Sequence, residues 1–342
     1  MPFDSVAGLI EELRKTKLLK TAQVDETVRM LQPRFPSALG LAKELVRRGW
    51  LTVYQVNQLF QANGQQLVLG QYQILDHLGK GGVSQVFKAW HTERDCLVAL
   101  KVIHPHLLSN AEAVGRFQRE MKAVTRLSHP NIVCAIENAD IGEAHFFAME
   151  FVQGTDLKKL VELTGALPVP QACDFVRQAA CGLAHAHEQG LVHRDIKPAN
   201  LVLIEDGSTV KILDFGLARL HNADGVDPGT ALTAQGAMIG TADYVAPEQA
   251  RNARQADIRS DIYSLGCTFY HLLTGGPPFP GGSAMQKIHH HLNKEAASVC
   301  LLRPETPPEV DAIVKRMLAK KPDDRFQTPG EVAEQLKPFC GV

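Results

Sequence analysis

The chain has 342 residues, 45% of them hydrophobic, with a formal net charge of −1. That length allows about two domains with ample core, and a charge so near zero gives no global pull toward nucleic acid or an anionic membrane. Seven Cys are scattered without a C-x-x-C or paired spacing, which reads as buried thiols in a reducing compartment and excludes a disulfide frame or a zinc site. No apolar run approaches the ~18 residues of a membrane helix. The opening MPFDSVAGLIEELRK has early acidic residues and no long apolar core, so it is not a secretory signal. The expectation is a soluble, cytoplasmic chain without a membrane segment of its own. A longer parent with a distal membrane segment stays compatible with it.

Residues 1–66 carry four short helical patterns. The first covers about 5–19, with Leu9, Ile10, Leu13, Leu18 and Leu19 apolar. The second covers about 22–31, and Pro33 and Pro36 punctuate the joint after it. The third covers about 37–48 and stops before Gly49; the fourth, about 52–62, has a Thr cap and an apolar row of Val53, Val56, Leu59 and Phe60. None could bury its stripe alone, which predicts a small bundle. Without a cluster of His, Cys or carboxylates, it reads as a regulatory or docking module, joined through a linker at 63–66.

From Leu67 the pattern changes to strands. Tyr72, Ile74 and Leu78 are followed by Gly79-Lys80-Gly81-Gly82-Val83-Ser84-Gln85-Val86. Strand, glycine-rich turn and strand make a flap whose backbone N–H groups can approach phosphates, although an ordinary hairpin has the same pattern. The third strand carries Val98-Ala99-Leu100-Lys101, and alternation puts Ala99 and Lys101 on one face. A helix over about 111–127 has Phe117, Met121, Val124 and Leu127 as its stripe, bordered by Glu120. Residues 129–133 are expected to begin a fourth strand and 145–149 to form a fifth. Gly154 turns the chain into a helix from about Asp156, whose carboxylate suits a helix start. The helix over 169–190 has a stripe of Cys173, Val176, Ala180, Leu183 and Ala184. His185 and His187 at i, i+2 do not face each other, and they and His289 to His291 are read as structural.

The stretch His193-Arg194-Asp195-Ile196-Lys197-Pro198-Ala199-Asn200 places a carboxylate, an ammonium and an amide within six positions of a polar segment. Those groups suit phosphoryl transfer: the Asp accepts a hydroxyl proton, the Lys neutralises a phosphate oxygen and the Asn holds a metal ion. Apolar runs at 201–204 and 210–213 read as a hairpin that returns a second carboxylate, Asp214 of Asp214-Phe215-Gly216, to that loop. With these motifs in view, the sequence resembles a bacterial, eukaryotic-like (Hanks-type) serine/threonine protein kinase.

The resemblance implies an α+β, two-lobed fold over 72–338, with an N-lobe at 72–149, a hinge at 150–154 and a C-lobe at 155–338, preceded by the small all-α module. In it ATP and Mg²⁺, or Mn²⁺, enter the cleft between the lobes. The flap (Leu78 to Val86) covers the phosphates, Lys101 holds the α/β-phosphates and Glu120 pairs with Lys101. Ala99 touches the adenine, Met149 is the gatekeeper, and the Glu150 C=O and Val152 N–H bond the adenine edge. Asp156 reaches the ribose or substrate, or only starts its helix, and Val202 joins the nucleotide-binding set. Asp195 and Lys197 are catalytic; Asn200 and Asp214 hold the metal. The family asks for a third glycine where Ser84 stands, which implies a stiffer flap.

A loop of about thirty residues, 217–246, closes at Ala246-Pro247-Glu248. Autophosphorylation is expected at Thr233, then Thr230, with Arg194 pairing the phosphate. Thr241 belongs to the substrate platform. Asp261 is expected to bond the backbone of the His-Arg-Asp loop, and Glu248 and Arg325 to form a buried pair. Further helices are expected at about 283–292, 309–318 and 328–336. Protein Ser/Thr hydroxyls are the expected acceptors, with self-association for phosphorylation in trans, and Ala199 argues against a strong Arg-directed preference. The alternatives are a pseudokinase-like scaffold, against which stands the presence of Lys101, Glu120, Asp195, Lys197, Asn200 and Asp214 in order, and a small-molecule phosphotransferase, against which stands the peptide platform.

Overall fold

The computed structural model describes residues 5–80, 84–103, 115, 121–122, 124–141, 144–213, 215, 242–252 and 256–341. Gly81, Gly82, Val83, Phe117, Glu120, Asp214, Thr230, Thr233 and Thr241 lie outside the described residues. The chain divides into two compact units, Met1–Ser109 with Glu137–Phe151, and Asn110–Ile136 with Val152–Val342.

The first unit opens with four helices: α1 Val6–Thr16, α2 Thr21–Glu26, α3 Ala38–Arg47 and α4 Val53–Phe60. Local chemistry sets their starts. Ser5 Oγ accepts from the Gly8 N–H at 3.2 Å, Ser37 Oγ from the Gly40 N–H at 3.1 Å, and Thr52 with Gln55 forms a reciprocal capping box. α1 stops at Lys17, which turns left-handed at φ 54°, so Leu18 and Leu19 are buried from a turn and not from the longer helix expected. α2 runs on through a wider π-type turn, Thr27–Leu31.

Leu9, Leu13, Leu31, Leu41, Leu45 and Leu59 form the centre of the bundle. This core does not close on itself: Leu67 and Ile74 belong to it, with Val68, Leu69 and Phe87 packed against it. Most of the linker expected at 63–66 lies in a tight helical turn, Gly64–Leu67, with Gly64 buried. A Cβ at Gly64 would stand 3.0 Å from a Leu59 methyl and 2.8 Å from the Glu12 carboxylate, so a larger residue there would have to displace these side chains.

The sheet of this unit has six strands in the order β1-β2-β3-β4-β6-β5. They are β1 Val68–Leu69, β2 Tyr72–Lys80, β3 Ser84–His91, β4 Cys96–Ile103, β5 Ala135–Ile141 and β6 Ala144–Glu150. The β3–β4 register sets Val86 opposite Lys101, and β4–β6 sets Ala99 opposite Met149. Directly opposed residues share a face, so Val86, Ala99, Lys101 and Met149 lie on one side. Phe87 and Ile74, the latter paired through Ala89, lie on the other side, against the helices.

The expected strand start at 129–133 is corrected. Those residues are irregular apart from a single parallel bridge from Ile132 to Ile212, and the strand begins at Ala135. The reason is Asn131: its buried amide donates to Gln178 Oε1 and to the Val210 carbonyl, each at 2.9 Å, and fixes the segment through its side chain.

The second unit contains a small sheet in the order β7 Gly154–Asp156, β8 Leu201–Ile204, β9 Val210–Ile212, and the helices Leu157–Thr164, Val169–Glu188, Ile258–Thr274, Ala284–Asn293, Pro308–Met317 and Pro329–Leu336. Val169–Glu188 uses its small residues for close packing: a Cβ at Gly182 would meet the Asn131 carbonyl at 3.0 Å. Ile258–Thr274 is buried on nearly every face, as a central helix must be. The short helix Val299–Leu302 had no counterpart in the sequence reading. Among the described residues no helix is long and apolar enough to cross a membrane.

Because the helical core continues into Ile74 of β2, emptying it should loosen the strand as well as the bundle. Leu41→Ala is expected to cost about 2–5 kcal/mol, read by chemical denaturation. Hydrogen exchange should show faster exchange of β2 amides together with α3 amides.

Candidate active site

The polar loop 193–200 lies in the second unit and hangs on one carboxylate. Asp261, fully buried near the start of Ile258–Thr274, accepts from the His193 N–H at 2.8 Å and the Arg194 N–H at 2.7 Å. His187 Nε2 lies 3.0 Å from the same group. A carboxylate can only accept, so His187 carries its proton on that nitrogen. Three donors thus meet most of the hydrogen-bonding capacity of this buried carboxylate. Arg194 sits at φ 68°, a left-handed conformation that costs a non-glycine residue about 1–3 kcal/mol. The bond from its own N–H to Asp261 offsets that strain.

His193 fixes the next link. Its Nδ1 accepts from the Asp195 N–H at 3.2 Å, and its Nε2 lies 2.7 Å from the Leu213 carbonyl. Both partners assign the proton to Nε2. The ring therefore ties the 193–200 loop to the end of β9, one residue before Asp214. Gln249 adds a donor to the Arg194 carbonyl at 2.7 Å. Sequence reasoning missed His193 and Gln249 as supports; the only local signal was a histidine beside the loop.

Asp195, Lys197 and Asn200 converge. Lys197 Nζ is 2.7 Å from Asp195 Oδ2, and Asn200 Nδ2 donates to the Asp195 carbonyl at 2.8 Å and to Oδ2 at 3.2 Å. The Leu213 N–H reaches the Asn200 carbonyl at 2.8 Å, which aligns the hairpin with the loop. Asp156 is an N-cap, accepting from the Lys159 N–H at 2.9 Å; of its two expected roles, the helix start is the one with a partner among the described residues. Val202 is buried on β8, paired with Asp156 on β7.

Among the described residues, Leu78 to Lys80, Ser84 to Val86, Ala99, Lys101, Met149 and Glu150 lie in the first unit, and Val152 belongs to the second. Lys101 is buried on β4 between Val86 and Phe147, and Ala99 sits between Lys88 and Met149. Glu150 is opposite Val98. Gly79 and Lys80 on β2 face Val86 and Gln85 on β3, and Ser84 is buried at the start of β3 while Leu78 is exposed. This face therefore gathers Val86, Ala99, Lys101 and Met149, with Ala99 and Lys101 together as alternation predicts.

Two further ties hold the segment that follows Thr241. Asp243 pairs with Lys287 at 2.7 Å, and the Tyr244 hydroxyl lies 2.8 Å from His271 Nδ1. The His289 to His291 run is structural as expected. His291 is buried against the Tyr263 hydroxyl at 2.9 Å, and burial pushes its imidazole down to about 4. Glu248 and Arg325 form the bidentate pair expected, both contacts at 2.8 Å, with the Ser260 hydroxyl donating to Glu248 at 2.6 Å. Burial alone would push the Glu248 carboxyl up; Arg325 and Ser260 more than reverse this and hold it below its ordinary range.

A model of the protein kinase domain matches residues 72–336. The chain belongs to the protein kinase family. It is similar to the serine/threonine-protein kinase PknB of Mycolicibacterium smegmatis, 36% identical over 270 residues that make up 78% of this chain and 42% of that protein. The PknB of Mycobacterium leprae gives the same identity and shares. The chain thus spans about two fifths of the length of these curated relatives. Among solved structures, the PknI kinase domain of Mycobacterium tuberculosis aligns with a TM-score of 0.60 at 27% identity, covering 80% of this chain and 98% of that one. Rad53 1–466 in complex with AMP-PNP aligns with a TM-score of 0.65 at 27% identity, covering 83% and 70%.

Removing one partner of the Glu248–Arg325 pair strands a buried charge. Glu248→Gln is expected to cost about 3–5 kcal/mol in denaturant unfolding. Since the folded carboxyl titrates below its unfolded value, the pair contributes fully above the ordinary glutamate range. That contribution is lost as pH falls through the folded value. Stability of the wild type should therefore drop more steeply than that of Glu248→Gln across this acid window.

Proposed function

We propose that this chain is an ATP-dependent serine/threonine protein kinase, transferring the γ-phosphate of ATP to Ser or Thr hydroxyls of proteins. The observation that carries the reading is the convergence of Lys197 and Asn200 on Asp195, on a loop pinned by the buried Asp261. In this reading the acceptor hydroxyl oxygen attacks the γ-phosphorus, the bond to the ADP oxygen breaks, and Asp195 receives the hydroxyl proton. Lys197 steadies the charge on the transferred group. Lys101, on the face with Val86, Ala99 and Met149, takes the α/β-phosphates, with Glu120 as its partner, and that face takes the adenine. Lys197 favours a serine/threonine acceptor by its resemblance to that branch of the family.

A divalent metal, with Mg²⁺ the proposed ion, would be held by Asn200 and Asp214. Asn200 fits: its amide nitrogen is spent on Asp195, which turns its carbonyl oxygen, a hard donor suited to Mg²⁺, away from that residue. When bound, the metal neutralises charge on the phosphates. The relatives named as serine/threonine-protein kinases and the solved complex with AMP-PNP support the same reading.

Asp195→Asn should lower phosphate transfer from radiolabelled ATP to a general protein acceptor by about 10²- to 10⁴-fold, while ATP still binds. Transfer within tenfold of wild type would remove Asp195 from the chemistry. Binding of ATP without turnover by the wild type would favour the scaffold alternative. The kinase reading also places autophosphorylation at Thr233, then Thr230, and phosphosite mapping by mass spectrometry of the active chain should find Thr233 modified. Both threonines unmodified would overturn this assignment.

A further inference from the structure

The helical module has no place in the phosphotransfer chemistry, yet it touches the strand that leads into the nucleotide flap. β1 covers only the first two residues of β2, pairing Val68 with Gln73 and Leu69 with Tyr72. Beyond them β2 loses its regular course on the other side too, with register shifts between Ile74 and Asp76 and between His77 and Gly79. Two successive backbone carbonyls at this irregularity, those of Ile74 and Leu75, are taken by α4. Gln55 Nε2 donates to the Ile74 carbonyl at 2.8 Å, and Thr52 Oγ1 to the Leu75 carbonyl at 2.5 Å.

These are the same two side chains that cap α4. Gln55 Oε1 accepts from the Thr52 N–H at 2.8 Å, and Thr52 Oγ1 accepts from the Gln55 N–H at 3.1 Å. Both ends of the Gln55 amide and both functions of the Thr52 hydroxyl are therefore engaged, and Gln55 is buried. The start of α4 and the irregular part of β2 form one hydrogen-bonded unit. Ile74 and Phe87 anchor the same contact through the hydrophobic core. Four residues after Leu75, Gly79 and Lys80 enter the flap opposite Val86 and Gln85.

We propose that Thr52 and Gln55 are positioning residues for nucleotide binding: by holding the irregular course of β2, the helical module sets the flap strands over the face that carries Lys101. The module is thereby a built-in brace of the nucleotide site. The inference rests on the reading of that face as the ATP site, and its test is kept separate from turnover.

The dissociation constant for Mg²⁺-ATP is measured by titration calorimetry on the full chain, well below the unfolding midpoint, in wild type, Thr52→Val, Thr52→Ser, Gln55→Met and Ser37→Ala. Thr52→Val and Gln55→Met should each raise it roughly five- to tenfold, as expected for a lost hydrogen bond that strands a carbonyl. Turnover at saturating ATP should stay within about twofold. Thr52→Ser, which keeps the hydroxyl, should bind as the wild type does. Ser37→Ala removes the α3 cap away from β2 and should lower the unfolding midpoint without moving ATP affinity.

Unchanged affinity in Thr52→Val and Gln55→Met would overturn the proposal, as would an equal shift in Ser37→Ala. Should Gln55→Met not fold, the Thr52→Val and Thr52→Ser pair decides alone. A wild type that binds ATP but transfers no phosphate, with the affinity shifts in place, would sink the kinase activity and uphold this inference.

Discussion

The geometry of the candidate site depends on one buried carboxylate. Asp261 is far from position 195 in sequence and takes no proton from any substrate, but its two oxygens hold the backbone N–H groups of His193 and Arg194. Those bonds help offset the left-handed strain at Arg194 and fix the loop that presents Asp195 beside Lys197 and Asn200. A carboxylate at such depth is costly unless hydrogen bonds satisfy it. His187 completes the set, which explains a histidine on the inner face of Val169–Glu188.

The same physical device recurs through the second unit. Glu248 with Arg325, Asn131 with Gln178 and the Val210 backbone, and Asp243 with Lys287 each bridge segments far apart in the chain. Such ties contribute little net energy against an apolar replacement, but they penalise any arrangement that separates the partners. The benefit is a fixed geometry where irregular backbone must be held still. Loops 193–200 and 242–246 are of that kind: neither has a ladder of its own, and each is pinned by side chains from buried helices.

The first unit is organised differently. Its sheet has one face that gathers Val86, Ala99, Lys101 and Met149, and a second that shares a hydrophobic core with four helices. A thin sheet exposed on the back would leave Ile74 and Phe87 in water. The helices cover them, and α4 supplies donors where β1 runs out. The boundary between module and sheet therefore carries apolar packing and hydrogen bonds together, as the inside of a domain does.

The sequence by itself determined the candidate site residues of 193–200 and most elements. His193 to Asn200 speaks through residue types at short spacing, the strand holding Lys101 through period-two alternation, and the helices of the module through 3.6-residue periodicity and their Ser and Thr caps. These signals are local, so a linear chain displays them. The tertiary structure alone decided what depends on contacts across long separations: that 63–67 packs against α1 and α4 and does not act as a free tether, that Asn131 keeps 129–134 out of a strand, and that His193, His187 and Gln249 hold the loop. Buried polar partners such as Asn131 and Gln178 leave no periodic trace, because each needs only one well-placed atom. Their pairing is created when the chain folds, and it was there that the fold decided how rigidly the site is built.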